Sequence, residues 1–512
     1  MESSPLLLKP SSLGSKRGAG LSIVLLAAGL AACATAPRPR TPAPVPPAAP
    51  PPPPTLELVP CQLPGLERAA RCGTLEVFEN RATRQGRKIG IRVAVLPAAG
   101  ATPAADPFFF LAGGPGQGGI ALAKPLSEIF GDVLRERDFV LVDQRGTGGS
   151  HPLHCPLPGS DEDPQSYLGD LLPVDALRDC LARLDADPRL YTTPIAMDDL
   201  DDVRAALGYG RINLYGLSYG SRAALVYMRR HPTRVRSVLL RGIVPTDMKT
   251  PLYYARDTQR ALDLLFADCE ADPACHGAYP DLRRAFAAVE ERLGKGPVTV
   301  ELKPAKDRPP FRLQLSLDNF NEAIRLRLYD EGSSQLPQVI QQAFAGDFAP
   351  AALGVLGQRR AAARGTILSV GVFLAVTCTE DVPFIDAAAA QRAAKGSFLG
   401  TYRVDQQVKA CAVWPRGELP AGYTGAVRSA IPTLVISGYR DPATPPVWGE
   451  QVAGQLSHGR HLVLAQGAHG PPDPCLARIM SDFVRRGTAD GLDTSCTAQA
   501  RRAPFVLPAA KP

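Results

Sequence analysis

What this 512-residue chain lacks narrows the reading before any motif is considered. It has no run of basic residues. Its net charge is +7, and the arginine pairs at 229–230, 359–360 and 485–486 are scattered as on solvated helix faces, so nucleic acid is excluded as a partner. It has no paired C-x-x-C, and no second histidine at ligand spacing accompanies Cys269, Cys275 and His276, so that cluster falls short of a zinc site and no metal is expected. No lysine follows the glycines at 113–116 in P-loop register, which sets phosphate binding aside. Histidine is scarce, at seven, so each can be judged by its setting. The apolar run near the start, Leu21 to Gly29, is too short for a comfortable membrane span.

That run reads instead as an address. Lys16-Arg17 followed by Leu21–Gly29 has the form of an export signal, and Leu30-Ala31-Ala32-Cys33 resembles the bacterial lipobox, in which the cysteine is acylated and becomes the mature first residue. Cleavage of an ordinary signal peptide at Ala32 or Ala36 is the alternative. Residues 34–59, with five consecutive prolines at 50–54, form a stiff extended spacer that would hold a domain away from a membrane surface. Assigning Cys33 to lipid leaves ten of the 11 cysteines, an even number suited to an oxidising compartment. Neighbours in sequence suggest the pairs Cys61–Cys72, Cys155–Cys180, Cys269–Cys275, Cys378–Cys411 and Cys475–Cys496, of which the short 269–275 loop alone is strongly implied.

With 45% hydrophobic and 21% charged residues, the rest is globular and long enough for two or more units. Residues 60–247 alternate apolar strands with helical stretches, including 175–186 and 196–208, the latter with Asp198, Asp199, Asp201 and Asp202 expected in its early turns. This rhythm predicts an α/β fold, a mostly parallel sheet with helices on both faces. Residues 248–430 read as an inserted, mainly helical cap interrupted by a strand-like stretch at 297–315. Strand–helix alternation resumes over 431–497, and 498–512 is a tail.

Gly216-Leu217-Ser218-Tyr219-Gly220 lies between an apolar strand and a helix, the setting of a nucleophile elbow. A serine hydroxyl there needs an imidazole to take its proton and a carboxylate to orient that imidazole. Asp441 and His469 each follow an apolar strand in glycine-bearing loops, and the order Ser218, Asp441, His469 is that of α/β-hydrolases. The other histidines lack such a setting. A tetrahedral intermediate also needs two preset amides, for which Tyr219 and Gly114, the latter in preference to Gly113, are the candidates.

These motifs together, Gly113-Gly114-Pro115-Gly116, Asp143 through Ser150, Gly216 through Ser221, Gly438 through Asp441 and Ala468-His469-Gly470, resemble those of the proline iminopeptidase group of serine peptidases. They resemble more closely its exported, disulfide-bearing branch, the tripeptidyl-aminopeptidase-like α/β-hydrolases, over about 60–497. The resemblance implies Ser218 as nucleophile, His469 as general base and acid, Asp441 as orienter, cleavage near a substrate's N-terminus, and no cofactor. Ala112 departs from the histidine that many of these enzymes carry, and the cap is the least similar part. Asp143 and Arg145 are expected to brace the oxyanion loop. Because the group uses cap acids to hold a free N-terminus, Glu380 is the first candidate for that contact and Asp381 the second, held over Ser218 if Cys378 bridges Cys411.

The leading expectation is thus an exported, lipid-anchored serine aminopeptidase acting on short peptides. A carboxylesterase or amidase with the same triad is the alternative. A binding protein on a hydrolase scaffold would carry a broken triad, which this sequence does not.

Overall fold

The computed structural model describes residues 55–303, 310–365 and 368–508. The export signal, Cys33 and the spacer as far as residue 54 lie outside them. Among the described residues no helix is long and apolar enough to cross a membrane.

The strands are β1 (Val59–Cys61), β2 (Ala70–Phe78), β3 (Lys88–Leu96), β4 (Phe108–Leu111), β5 (Phe139–Val142), β6 (Ile212–Leu217), β7 (Val235–Arg241), β8 (Val298–Leu302), β9 (Phe311–Leu315), β10 (Thr433–Gly438) and β11 (Gly459–Leu464). Nine of them form one sheet in the order β1-β2-β3-β5-β4-β6-β7-β10-β11. The pairings β1–β2, β2–β3 and β3–β5 are antiparallel, and β5, β4, β6, β7, β10 and β11 run parallel to one another. Composition explains the split. β4 (Phe-Phe-Phe-Leu) and β5 (Phe-Val-Leu-Val) are buried at every position, as parallel strands covered on both faces must be, whereas β2 alternates buried with exposed residues.

The period of two sorts the β4 side chains into two layers. Phe108 and Phe110 join Tyr215, Ile479 and Phe483 on one face, with the Phe108 and Phe139 rings stacked at 5.0 Å. Phe109 and Leu111 join Ala223, Ala224 and Tyr227, from the helix Tyr219–Arg230, on the other. The chain order reverses around β4, which lies between β5 and β6, and open α/β sheets bind ligands at the carboxyl ends of strands beside such a switch. Ser218 and the Gly113–Gly116 loop leave the sheet there.

The predicted cap segment carries the helices Tyr254–Ala271, Leu282–Gly294, Leu317–Arg327, Leu336–Phe344, Ala349–Ala363, Val370–Glu380 and Tyr402–Cys411, among others. Much of it packs around a separate core that includes Leu262, Phe286, Phe320, Ile340 and Leu356. The interruption expected at 297–315 is the antiparallel hairpin β8–β9. All ten cysteines among the described residues are bridged, in the five pairs that sequence proximity suggests, and such bridges persist in oxidising compartments.

One helix differs from expectation. It runs Thr193–Ala206, with a proline in its first turn, so Asp198, Asp199, Asp201 and Asp202 sit mid-helix and do not serve the helix dipole. They meet cations from other segments: Arg81 reaches Asp199 and Asp202, and Arg230 reaches Asp198.

Candidate active site

β6 passes into the helix Tyr219–Arg230 through Ser218, whose φ of 55° and ψ of −125° lie where non-glycine residues seldom sit. The flanking glycines are required sterically. A Cβ on Gly216 would lie 2.4 Å from the Gly220 carbonyl oxygen, and one on Gly220 would lie 2.0 Å from that of Leu111. The Ser218 amide donates to the Arg241 carbonyl at 2.8 Å, and the Ser221 hydroxyl donates to the Ser218 carbonyl at 2.6 Å. Tyr219 opens its helix, so its amide has no acceptor within it. The Gly113, Gly114 and Tyr219 amides find no acceptor among the described residues, and all three residues line the same cleft as Ser218. The Gly113 loop lies directly against the serine, since a Cβ at Gly113 would approach the Ser218 Cβ to 3.3 Å. Gly113 therefore joins Gly114 as a donor candidate.

Asp441, in the turn after β10, is 1% exposed and fully engaged. Its Oδ1 accepts the Ala443 and Thr444 amides, each at 2.8 Å, and its Oδ2 accepts the Thr444 hydroxyl at 2.7 Å. His469 Nδ1 lies 2.7 Å from Oδ2. Burial would raise the carboxyl pKa, but the His469 imidazole and the Thr444 donors outweigh it and hold the group at about 2. An ionised acceptor at Nδ1 fixes the proton there and leaves Nε2 as the basic nitrogen. Ser218 and His469 line one cleft without a hydrogen bond between Ser218 Oγ and the ring, a contact that in many hydrolases tightens with substrate.

Arg241 ties these two groups together. Its carbonyl holds the Ser218 amide, and its guanidinium donates to the Gly470 carbonyl beside His469. Gly242, at φ 64°, gives the imidazole room: a Cβ there would lie 2.9 Å from His469 Cε1. The Tyr329 ring from the cap meets the His469 ring edge-on at 5.2 Å.

The cleft encloses about 490 Å³ between this floor and a roof of cap residues that includes Tyr254, Glu322, Arg325, Tyr329 and Asp381. Here the expectation for Glu380 needs correction. Glu380 does not line the cleft. Its carboxylate accepts the Thr193 amide at 2.7 Å, the Thr193 hydroxyl at 2.8 Å and the Tyr423 hydroxyl. The helix Val370–Glu380 ends between the two acids, Asp381 leaving helical geometry at φ −123° and ψ −63°, so apart from Arg222, which lies near both, they meet different partners. Asp381 is the acid that reaches the cleft. Its Oδ1 accepts Arg222 at 2.9 Å and the Thr250 amide at 3.1 Å, while Oδ2 has no partner among the described residues. Burial, only partly offset by Arg222, pushes both the Asp381 and the Glu380 carboxyls up.

The expected bracing pair also divides. Asp143 accepts the Ile120 and Gly149 amides at 2.9 Å each, steadying the end of the glycine-rich segment. Arg145 instead clamps Asp199 with two bonds, at 2.6 and 2.9 Å, and takes the Glu79 and Leu190 carbonyls, away from that loop. Sequence reasoning missed Arg222, Arg241, Glu322, Arg325 and Thr444. A fully buried arginine four residues after Ser218, and a threonine three after Asp441, carry no local signal beyond their spacing.

A serine on such a turn, with free amides at a helix N-terminus and a histidine oriented by a buried carboxylate, defines a serine hydrolase of the α/β-hydrolase fold. Residues 106–275 match the family model for the alpha/beta hydrolase fold, and residues 396–496 match that for TAP-like protein. The chain is 25% identical to serine protease Hip1 of Mycobacterium tuberculosis, over 86% of this chain and 91% of that protein. It is 24% identical to the tripeptidyl aminopeptidase of Streptomyces lividans over 86% of each chain. Over a shorter region, 28% of this chain and 34% of the other, it is 34% identical to the proline iminopeptidase of Neisseria gonorrhoeae. These relationships put the chain in an α/β-hydrolase peptidase group.

Proposed function

We propose that this protein is an exported serine aminopeptidase that removes residues or short peptides from the N-termini of peptides. The observation that carries the reading is His469, joined at 2.7 Å to the buried Asp441, in one cleft with Ser218, the free amides and an acid with an uncommitted oxygen. In this mechanism Ser218 Oγ attacks the scissile carbonyl as His469 Nε2 takes its proton, and the oxyanion rests on the Gly114 and Tyr219 amides. His469⁺ then protonates the leaving amine, and water cleaves the acyl-enzyme by the same route reversed. Asp441 keeps the imidazole oriented and balances its charge. Asp381 Oδ2 receives the substrate ammonium, a charge-assisted bond in a partly dry pocket. The signal, the spacer and acylation at Cys33 would hold the domain at a cell envelope, and the cap of 248–430 would set access to the cleft.

The test is hydrolysis by the purified domain of aminoacyl, tripeptidyl and acyl-ester chromogenic substrates, each with a free and a blocked amine. Free-amine peptides turned over fastest, with labelling by a fluorophosphonate abolished in Ser218→Ala, is the expected outcome. Preference for blocked esters assigns the protein to the carboxylesterases instead, and wild-type labelling of the variant removes Ser218 as nucleophile.

A further inference from the structure

The roof of the cleft is unevenly charged. Away from Asp381, the roof carries Glu322, Arg325, Arg359 and Arg403, a cluster of one carboxylate and three guanidiniums. Arg325 is satisfied: Nε and Nη2 bond Glu322 at 2.8 to 3.1 Å, and Nη1 donates to the Tyr329 hydroxyl at 3.0 Å. The other two are not. Arg403 lies 3.5 Å from Glu322 as an ion pair and 5.7 Å from the centre of the Tyr254 ring, makes no hydrogen bond among the described residues, and keeps a buried Nε without a partner. Arg359, 8% exposed, makes one long bond among the described residues, Nη2 to the Tyr402 hydroxyl at 3.4 Å. A guanidinium carries five donors, and leaving them unmade away from water is costly unless an acceptor arrives.

The position matters as much as the charge. Arg325 reaches the Tyr329 ring at 5.4 Å, and that ring meets His469 at 5.2 Å, so the cluster begins within roughly three residues of extended chain from the reacting atoms. Resting on the peptidase reading above, we propose that Arg359 and Arg403, which line the same cleft beyond Arg325, form a carboxylate-binding subsite, and that the enzyme prefers short peptides bearing a carboxylate that can reach them. A planar fork matches a planar carboxylate through two parallel bonds, which a lysine cannot reproduce. Two sources supply this group: an aspartate or glutamate side chain, or the C-terminus of a short peptide.

The test compares kcat/KM for free-amine peptides that differ only as Glu against Gln at each of the first three positions, and for pairs with a free or an amidated C-terminus. One pair is expected to differ, by on the order of tenfold to a hundredfold in favour of the acid, and which pair responds identifies the source. In Arg359→Gln and Arg403→Gln that ratio falls towards one, and Arg403→Lys, which keeps the charge, restores part of it. Wild-type ratios near one in every pair overturn the subsite and leave the peptidase reading standing. If no peptide is cleaved, the peptidase reading fails separately, and protection of Ser218 from fluorophosphonate by glutarate against glutaramide decides the subsite. Equal protection by the two overturns it.

Discussion

The floor and the roof of one cleft are built in different ways. On the floor, the Gly113–Gly116 loop, Ser218, Asp441 and His469 each stand just beyond the end of a core strand, β4, β6, β10 and β11 respectively, so the sheet spaces them before any side chain is chosen. On the roof, Glu322 and Arg325 come from Leu317–Arg327 and Arg359 from Ala349–Ala363, two helices that pack around the cap's own core, while Arg403 comes from Tyr402–Cys411, whose Val404, Ala410 and Cys411 pack into other clusters. The floor groups are thus spaced by one shared sheet, whereas the roof groups are brought together by packing between helices.

Substitution on the floor should act on chemistry without touching the fold. His469→Ala is expected to lower kcat by about 10⁴-fold or more while the thermal midpoint stays near that of the wild type. Residual activity within a hundredfold of wild type would end the distinction.

On the roof, the charge cluster should show itself in stability. Burial opposes ionisation of Glu322, but Arg325 and Arg403 outweigh it and hold the carboxyl at about 2, below its ordinary 4.5. A depressed folded-state pKa contributes stability that is complete above about pH 4.5 and is lost as pH falls through 2. Glu322→Gln should therefore narrow the difference in unfolding free energy between pH 7 and pH 2 by about 3 kcal/mol, measured by denaturant titration across that range. Asp441, also held at about 2, remains in the variant and keeps some acid dependence. An unchanged difference would mean that Glu322 is not held ionised by the arginines.

The smallest expected effect separates the two adjacent acids. Asp381→Asn should reduce kcat/KM for free-amine peptides relative to blocked esters by about 2 kcal/mol. Glu380→Gln should lower the thermal midpoint and leave that ratio nearly unchanged. If Glu380 moves the ratio and Asp381 does not, the amine contact belongs to Glu380 after all.

Much of the fold was legible because its signals are short. β4 and β5 are unbroken apolar runs, and the glycines around Ser218 answer to backbone clashes within a few residues. The proximity of Asp441 to His469 could be anticipated from two strand ends that are neighbours, β10 beside β11. What could not be read was direction. Glu380 and Asp381 are indistinguishable as neighbours in sequence, yet one turns to Thr193 and Tyr423 and the other to the cleft, because the helix ends between them. Arg145 stands beside a glycine loop in sequence but answers to Asp199, and only the packing of Thr193–Ala206 reveals it. The start of that helix was misplaced because four aspartates outweighed a proline as the marker of a first turn.

Arg222 projects from the helix that Ser218 begins and ends, fully buried, against Asp381 at 2.9 Å and Glu380 at 3.9 Å at the close of Val370–Glu380. Moving that helix would have to break charge pairs that are buried on both sides, so the joint resists displacement. The helix that carries the nucleophile and the helix that ends at the roof's acidic pair are thus fastened to each other by charge, so the groups that react and the acid that faces the cleft share one anchor.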